Sequence, residues 1–412
     1  MRAKLSAMVW AAAIVLATIS LVLYPAAALA AAKDGLTLFM TIVFPSLLPF
    51  FILSEIMLGL GVVHFIGVLF EPLMRPVFNV PGEGAFVLSM GLAAGYPMDA
   101  VITGRFRRQG LCSRVESERM LAFSNTADPL FIFGAVAVGM FGMPMLGRTM
   151  ALAHYLSAML VGIAFRFYGA GERSSVVDRP RSGNILGRAV DALIKAREED
   201  GRPFGQLMGD AVNDSIKTLW MICGFIMLFS TLVKIVDVVG LYPIMATPFE
   251  WLFRLVHIDL SLVKAAVTGL FEIDLGAGAV VKAAAPLPQL VAMAGAIIAW
   301  SGLSVHGQVA SVLTGTDIRM RPYMIARLLH AILAYVLTIA LMNMANPALL
   351  EFTRIIPVIG GLPLGFVQPG FWAMLMRGVT WALGVPIGLS VLGGAAAAVT
   401  GGLRWAGFHH TR

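Results

Sequence analysis

The chain has 412 residues, of which 58% are hydrophobic and 13% charged, and its mean hydropathy is +0.85. This composition excludes an ordinary soluble globular domain and predicts an all-α polytopic membrane protein. The net charge of +7 would suit a nucleic acid, but the basic residues form short clusters beside apolar runs, as a topology signal does. We therefore expect no nucleic-acid partner. The two cysteines, Cys112 and Cys223, indicate neither a disulfide nor a metal site.

The first apolar run, 5–32, follows Arg2 and Lys4. It is either a cleaved signal peptide or a first span, and its length favours an uncleaved helix with a cytoplasmic N-terminus. A second span is predicted over 36–60, kinked by two prolines. The segment 62–78 contains two further prolines among charged residues, which favours an interfacial helix pair over a span.

The next segment, 84–104, is apolar but contains Gly95 and Pro97, so it cannot continue as a regular helix. Lipid cannot satisfy the backbone groups that such a break frees, which predicts a re-entrant segment lining an enclosed or wet cavity. The chain that follows predicts spans over 119–141 and 149–167, a polar linker over 166–202, a span over 214–236, an interfacial stretch over 241–258, a second broken segment over 260–281, and spans over 287–312, 322–345 and 371–400.

Three landmarks recur 177 to 179 positions later in the chain. Glu71-x-Leu73-x-Arg75-x-Val77 recurs as Glu250-x-Leu252-x-Arg254-x-Val256, Gly91-Leu92 as Gly269-Leu270, and Ala122-x-Ser124 as Ala299-x-Ser301. The nearly constant spacing predicts a duplicated unit, although chance resemblance between two apolar halves is the alternative. The predicted divisions are an N-terminal span (1–35), a first unit (36–167), a cytoplasmic linker (168–213), a second unit (214–345), and a C-terminal loop and span (346–412).

The topology follows from the basic residues. If both broken segments are re-entrant, about eight spans remain, and most Lys and Arg fall on the cytoplasmic side together with both termini. The first unit then begins outside and the second begins inside, which makes an inverted repeat. Transporters built in this way bind their substrate near the midplane, between broken helices whose N-termini face anions.

Four motifs resemble those of the YlbJ family of sporulation integral membrane proteins. They are Phe44-Pro-Ser-Leu-Leu-Pro-Phe50, Glu71-Pro-Leu-Met-Arg-Pro76, Gly91-Leu-Ala-Ala-Gly-Tyr-Pro97 and Phe123-Ser-Asn-Thr-Ala-Asp-Pro-Leu-Phe-Ile-Phe-Gly134. The resemblance implies a nucleoside-recognition Gate domain and a fold similar to concentrative nucleoside transporters. It also implies a protein of the bacterial cell or forespore membrane, needed for the spore cortex and linked to passage of dipicolinic acid into the developing spore. The expected partners are membrane lipid, a small anionic substrate, and a second copy or other sporulation membrane proteins.

The candidate site residues lie at the broken segments and at the matching places of the two units. Candidates for substrate binding are Gly95, Tyr96, Asn125, Thr126, Asp128, Ser301, Ser304 and His306, and candidates for ion coupling are Glu272, Asp274 and Asp99. The alternative for Asn125, Thr126 and Asp128 is a helix N-cap, but a site is favoured because a cap at membrane depth still presents N–H donors to the cavity. The alternative for the acids of the second broken segment is an exposed loop tip. Two acids close together repel an anion unless they are protonated or ion-paired, so they suit coupling better than substrate contact.

No enzyme signature and no ATP-binding loop is present in the sequence. We therefore expect neither an enzyme nor a bound cofactor, and transport would depend on gradients or be facilitative. The leading interpretation is a transporter or facilitator for a small organic anion, by family resemblance dipicolinic acid. The alternatives are a nucleoside or ion carrier of the Gate type and a non-transporting scaffold for sporulation proteins.

Overall fold

A computed structural model describes residues 2–169, 171–172 and 184–343. All regular secondary structure in these residues is helical, which confirms the all-α prediction. The predicted last span, 371–400, and the C-terminal segment 346–412 lie outside the described residues, as does part of the polar linker, 173–183.

The first half of the described chain contains ten helical elements. They are α1 (Arg2–Leu23), α2 (Pro25–Leu38), the π-helix π1 (Phe39–Val43), α3 (Phe44–Gly59), α4 (Val62–Phe78), α5 (Gly84–Ala94), α6 (Met98–Arg108), α7 (Arg114–Ser124), the π-helix π2 (Leu130–Met140) and α8 (Leu146–Phe165).

The remaining described residues form a linker helix and a second series of helices. They are α9 (Ile185–Asp200), α10 (Phe204–Val238), α11 (Tyr242–Leu255), a short 3-10 turn (Leu260–Leu262), α12 (Val263–Phe271), α13 (Ile273–Val280), α14 (Leu287–Trp300), α15 (Gly302–Val312) and α16 (Met320–Asn343).

By length and composition, four helical segments of the described chain could cross a membrane: Leu146–Phe165, Phe204–Val238, Leu287–Val312 and Met320–Asn343. Two pairs that bend sharply would raise the number to six. The pair Ala11–Leu23 and Pro25–Thr41 bends by 103°, and the pair Leu47–Gly59 and Val62–Phe78 by 82°. The protein is therefore a polytopic membrane protein.

The structure corrects several predicted boundaries. The first apolar run is divided at Tyr24, because Pro25 begins a new helix there. The predicted span 119–141 is two helices, α7 and π2, separated by the segment 125–129. The segment 62–78 is one helix despite its prolines, because packing against α5 and α9 outweighs the hydrogen bonds that they remove.

The polar linker also contains ordered structure that the sequence analysis did not predict. Helix α9 is capped at its N-terminus by Asn184, whose side chain accepts a hydrogen bond from the Leu186 N–H at 3.1 Å. At its C-terminus it is capped by Gly201 in a left-handed conformation. It packs along α4. Just beyond it, the hydrogen bonds from Arg202 lower the pKa of Asp200.

The same order of elements occurs twice. Each half begins with a long helical run (α2 to α3, or α10) and a shorter helix (α4 or α11). A broken hairpin (α5–α6 or α12–α13), a broken span (α7–π2 or α14–α15) and a closing helix (α8 or α16) then follow. The contacts are reciprocal as well, because α6 packs on α15 while α13 packs on π2. Corresponding elements also pack on each other, α10 on α2 and α3 and α16 on α8.

Candidate functional site

The first hairpin turns at Gly95, where the backbone has φ 73° and ψ −170°. This conformation is open almost only to glycine. A Cβ atom at this position would also lie 3.0 Å from Oδ2 of Asp128 and 3.1 Å from its backbone nitrogen. The tip of the hairpin therefore lies directly against the break that separates α7 from π2.

Asp128 lies at the N-terminal end of π2. Its Oδ1 accepts a hydrogen bond from the Phe131 N–H at 2.9 Å, as an N-capping carboxylate does. The cap predicted for this cluster is therefore present, and it is made by Asp128.

The second unit repeats this arrangement with different residues. Glu272 separates α12 from α13 and caps α13, because its carboxylate accepts a hydrogen bond from the Leu275 N–H at 2.8 Å. Gly302 has φ 69°, and a Cβ atom there would lie 2.9 Å from the carbonyl oxygen of Phe271. In both units the hairpin tip thus abuts the break in the span that follows.

A cavity of about 720 Å³ lies where these four breaks meet. Its polar lining residues are Thr41, Tyr96, Asp128, Glu272, Asp274, Ser304 and Gln308, and its other lining residues are mostly aliphatic. Both units contribute to the wall. Among the residues that the structure describes, the lining includes three carboxylates and no lysine or arginine.

The structure brings some of the predicted site residues together and leaves others behind the wall. Tyr96, Asp128, Glu272, Asp274 and Ser304 line the cavity, with Gly95 next to them. The hydroxyl oxygen of Tyr96 is buried and has no hydrogen-bond partner among the described residues.

The other candidates are buried and support the breaks. Ser301, in a left-handed conformation, donates to the carbonyl oxygen of Trp300 at 2.6 Å. Nδ1 of His306 lies 2.7 Å from the carbonyl oxygen of Gly302. Thr126 bonds weakly to the carbonyl oxygen of Ser124 at 3.4 Å.

Asn125 and Asp99 form the centre of a buried polar network. The Asn125 amide donates to Oδ1 of Asp99 at 2.9 Å, and Ser124 donates to Oδ2 of Asp99 at 3.1 Å. The Asn125 side-chain oxygen accepts a hydrogen bond from the Tyr323 hydroxyl at 3.1 Å. Asn125 therefore joins the first hairpin to α16 of the second unit and does not line the cavity.

Arg327 of α16 completes this network and was missed as a site residue. Its side chain is fully buried, and its guanidinium donates to the main-chain carbonyls of Asn125 and Ala122, the latter at 2.5 Å. These carbonyls belong to the C-terminal end of α7, where the helix leaves its last acceptors unsatisfied. The sequence offered one signal for Arg327, a single charge within an apolar run. A charged residue inside a membrane span usually has a functional role.

Two residues of α8 satisfy the far side of the same break. Nε2 of His154 accepts a hydrogen bond from the Ala127 N–H at 3.0 Å, and the Tyr155 hydroxyl donates to the carbonyl oxygen of Ala127 at 3.1 Å. The irregular backbone of residues 125–129 is thus bonded by side chains from two other elements, α8 and α16. This is the condition for irregular backbone at membrane depth.

Thr41 and Gln308 are lining residues that the sequence analysis did not single out. Gln308 could have been inferred, because it lies one turn beyond Ser304 on the same helix face and donates to its hydroxyl at 3.4 Å. Among the described residues, no group of three or more His, Cys, Asp or Glu side chains could hold a metal ion.

Comparison with known proteins finds one strong relative. The chain is 42% identical over 343 residues to the sporulation integral membrane protein YlbJ of Bacillus subtilis (strain 168), and the match covers 82% of this chain and 83% of that protein. No protein-family model matches the chain, so the predicted Gate domain stays a prediction. No solved structure matches it.

Proposed function

The chain belongs to the YlbJ family of sporulation integral membrane proteins, and we propose that it is a secondary transporter or facilitator for a small organic anion in spore formation. By family resemblance the anion is dipicolinic acid. The observation that supports this proposal is the cavity of about 720 Å³ between the two repeated units, at the junction of four helix breaks. Substrate sites of repeat-built transporters lie at such junctions.

The charge of the cavity constrains how an anion would bind. Asp128, Glu272 and Asp274 all line it, and two unit charges 4 Å apart repel by about 4 kcal/mol at an effective dielectric constant of 20. A dianion would therefore enter together with protons that neutralise these carboxylates. We assign the coupling role to Glu272 and Asp274, as the sequence predicted.

The helix N-termini offer the anion its donors. The backbone N–H groups of Phe131 and Leu275 are now bonded to the chain's own carboxylates, Asp128 and Glu272. A substrate carboxylate can take either place once the capping acid is protonated and rotates away, because anions are stabilised at helix N-termini. Tyr96 and Ser304 supply side-chain donors from opposite units.

Uptake of labelled dipicolinate into proteoliposomes tests the proposal. We expect uptake above that of empty vesicles, faster under an inward proton gradient, and loss of that gradient dependence in Asp274→Asn. Ser304→Ala should reduce uptake, while Ser311→Ala on the same helix, which does not line the cavity, should not. If the folded wild-type protein takes up no dipicolinate, the proposal that it transports this anion is refuted.

A neutral nucleoside is the second candidate, because no basic side chain of the described residues lines the cavity. A thermal-shift screen of the purified protein with dipicolinate, nucleosides and divalent cations separates the classes, since a ligand that binds only the folded state raises its stability. Stabilisation by nucleosides alone would show that the substrate is a nucleoside and not an organic anion. A non-transporting scaffold predicts no ligand response and normal sporulation after Ser304→Ala.

A further inference from the structure

A second cavity, of about 860 Å³, lies beside the cavity between the two units. Each of three helices presents one face to it, because the lining residues of each helix recur every three or four positions. They include Leu47 and Phe50 of α3, Ser89 and Leu92 of α5, and Leu152 and Leu156 of α8. We call this second cavity the lateral groove, and the cavity between the units the central cavity.

The mouth of the lateral groove is apolar and opens at the outer surface of the helices. Phe50, Leu130 and Leu156 line the groove and are 39%, 56% and 43% exposed, while Leu47 behind them is buried. Leu156 lies near the middle of the membrane-spanning helix Leu146–Phe165. The mouth therefore faces the hydrocarbon core of a bilayer and not its headgroup region.

The polar residues that line the lateral groove already have partners within the chain. The Ser89 hydroxyl donates to the carbonyl oxygen of Ala85 at 2.7 Å, and the Tyr155 hydroxyl donates to that of Ala127 at 3.1 Å. Asp128, where the groove meets the central cavity, caps π2. A polar ligand would lose its hydration here and gain few hydrogen bonds in return, so the groove suits a hydrocarbon occupant.

The surface around the mouth indicates which hydrocarbon this is. The exposed face of α8 continues beyond the groove with Leu160 and Ile163, which are also apolar and exposed, so lipid chains are the medium along this helix. A free fatty acid would bring a carboxylate, and the described lining of the groove offers it no lysine or arginine, only the carboxylate of Asp128. A phospholipid keeps its charged headgroup at the interface and inserts the chain alone.

We propose that the lateral groove binds one acyl chain of a membrane phospholipid, and that this chain covers Asp128 on the side that faces the bilayer. Leu47, Asp128 and Leu130 line both the lateral groove and the central cavity, so the seated chain lies against the wall of the central cavity. Lipid tails are as apolar as leucine, and the chain is therefore held by close packing against the groove wall and not by the hydrophobic effect.

Photolabelling of the full-length protein in vesicles tests this assignment. The probe is a phosphatidylglycerol with a diazirine in the middle of one acyl chain, irradiated either in the bilayer or after transfer to detergent. In the bilayer we expect label on Leu92 and Met159 of the groove and also on Ile163, which is exposed outside it. In detergent the label should persist at Leu92 and Met159 and disappear from Ile163, because only a bound chain is retained.

Filling the groove should prevent retention. Ala93→Phe places a ring in the groove at an exposed position, so the variant should fold and lose most of the label retained in detergent. Ala164→Phe, at an exposed position of α8 outside the groove, is the matched control and should keep that label. Leu156→Trp narrows the groove from the opposite wall and should act like Ala93→Phe, while its control, Leu160→Trp, should not.

Four results would overturn the proposal. Equal loss of label from the groove and from Ile163 in detergent would show that the groove holds no bound chain. Label on Ile163 alone in the bilayer would show that a protein segment covers the groove. Retention of the same diazirine on a free fatty acid, but not on the phospholipid, would assign the groove to a fatty acid. Full retained labelling in both Ala93→Phe and Leu156→Trp would place the bound chain elsewhere.

Discussion

Arg327→Met should lower the free energy of unfolding by about 2–4 kcal/mol. The guanidinium makes hydrogen bonds to two main-chain carbonyls, of Ala122 and Asn125, and lies 3.0 Å from Nδ1 of His330. Two charge-assisted bonds contribute about 3–6 kcal/mol in total. Relief of the desolvation cost of a fully buried cation, several kcal/mol, offsets part of that loss.

The assay is unfolding of the purified protein by SDS in mixed micelles, followed by tryptophan fluorescence. Arg321→Met removes the same charge from an exposed position of the same helix and should change stability by less than about 0.5 kcal/mol. Arg327→Lys should be intermediate, because one ammonium cannot replace a planar fork that reaches two carbonyls. Wild-type stability of Arg327→Met would refute the role of this residue in holding the break between α7 and π2.

Four further outcomes follow from the same geometry. Gly95→Ala should destabilise the protein by about 1–3 kcal/mol, measured in the same assay, because its backbone conformation is nearly restricted to glycine. Asn125→Ala should lower stability more than ligand affinity, since Asn125 lies behind the cavity wall. Asp128→Ala should cost about 1 kcal/mol as a lost N-cap, and Asp128→Asn clearly less. Single cysteines at Arg108 and Lys282 should be labelled from opposite faces if the repeat is inverted, and labelling from one face would exclude inversion.

The sequence predicted the broken segments best where glycine and proline mark them. Gly95 and Pro97 stop a helix by local backbone chemistry alone, so the first break could be placed to the residue. Ser301 carries no such mark, and the helical run 287–312 was predicted as unbroken. Gly302 follows it, but a single glycine within a helical run does not by itself require a break, and the break depends on the close approach of Gly302 to Phe271, a tertiary contact.

The site residues divide in the same way into those with a local sequence signal and those that depend on tertiary contacts. Tyr96, Asp128 and Glu272 lie at chain breaks, where the pattern itself indicates exposure to a cavity. Asn125 and Arg327 could not be assigned in this way, because their roles come from each other across two units. The sequence shows that a polar residue in an apolar run must have a hydrogen-bond partner. Only the tertiary structure shows which residue that partner is.

The two hairpins are held unequally, and this bears on which one moves. The first hairpin is fixed by Asp99 to Asn125, by Arg107 to Asp317, and by an ion pair between Arg105 and Glu55. The second hairpin has few polar side chains. Among the described side chains, the bond to it from outside is that of the Trp300 indole N–H to the carbonyl oxygen of Leu270 at 3.1 Å. A hairpin with few polar contacts separates from its neighbours at lower cost than one held by charged bonds. We therefore expect the second hairpin to separate from its neighbours more easily, while the first hairpin stays bonded to Asn125 and Asp317.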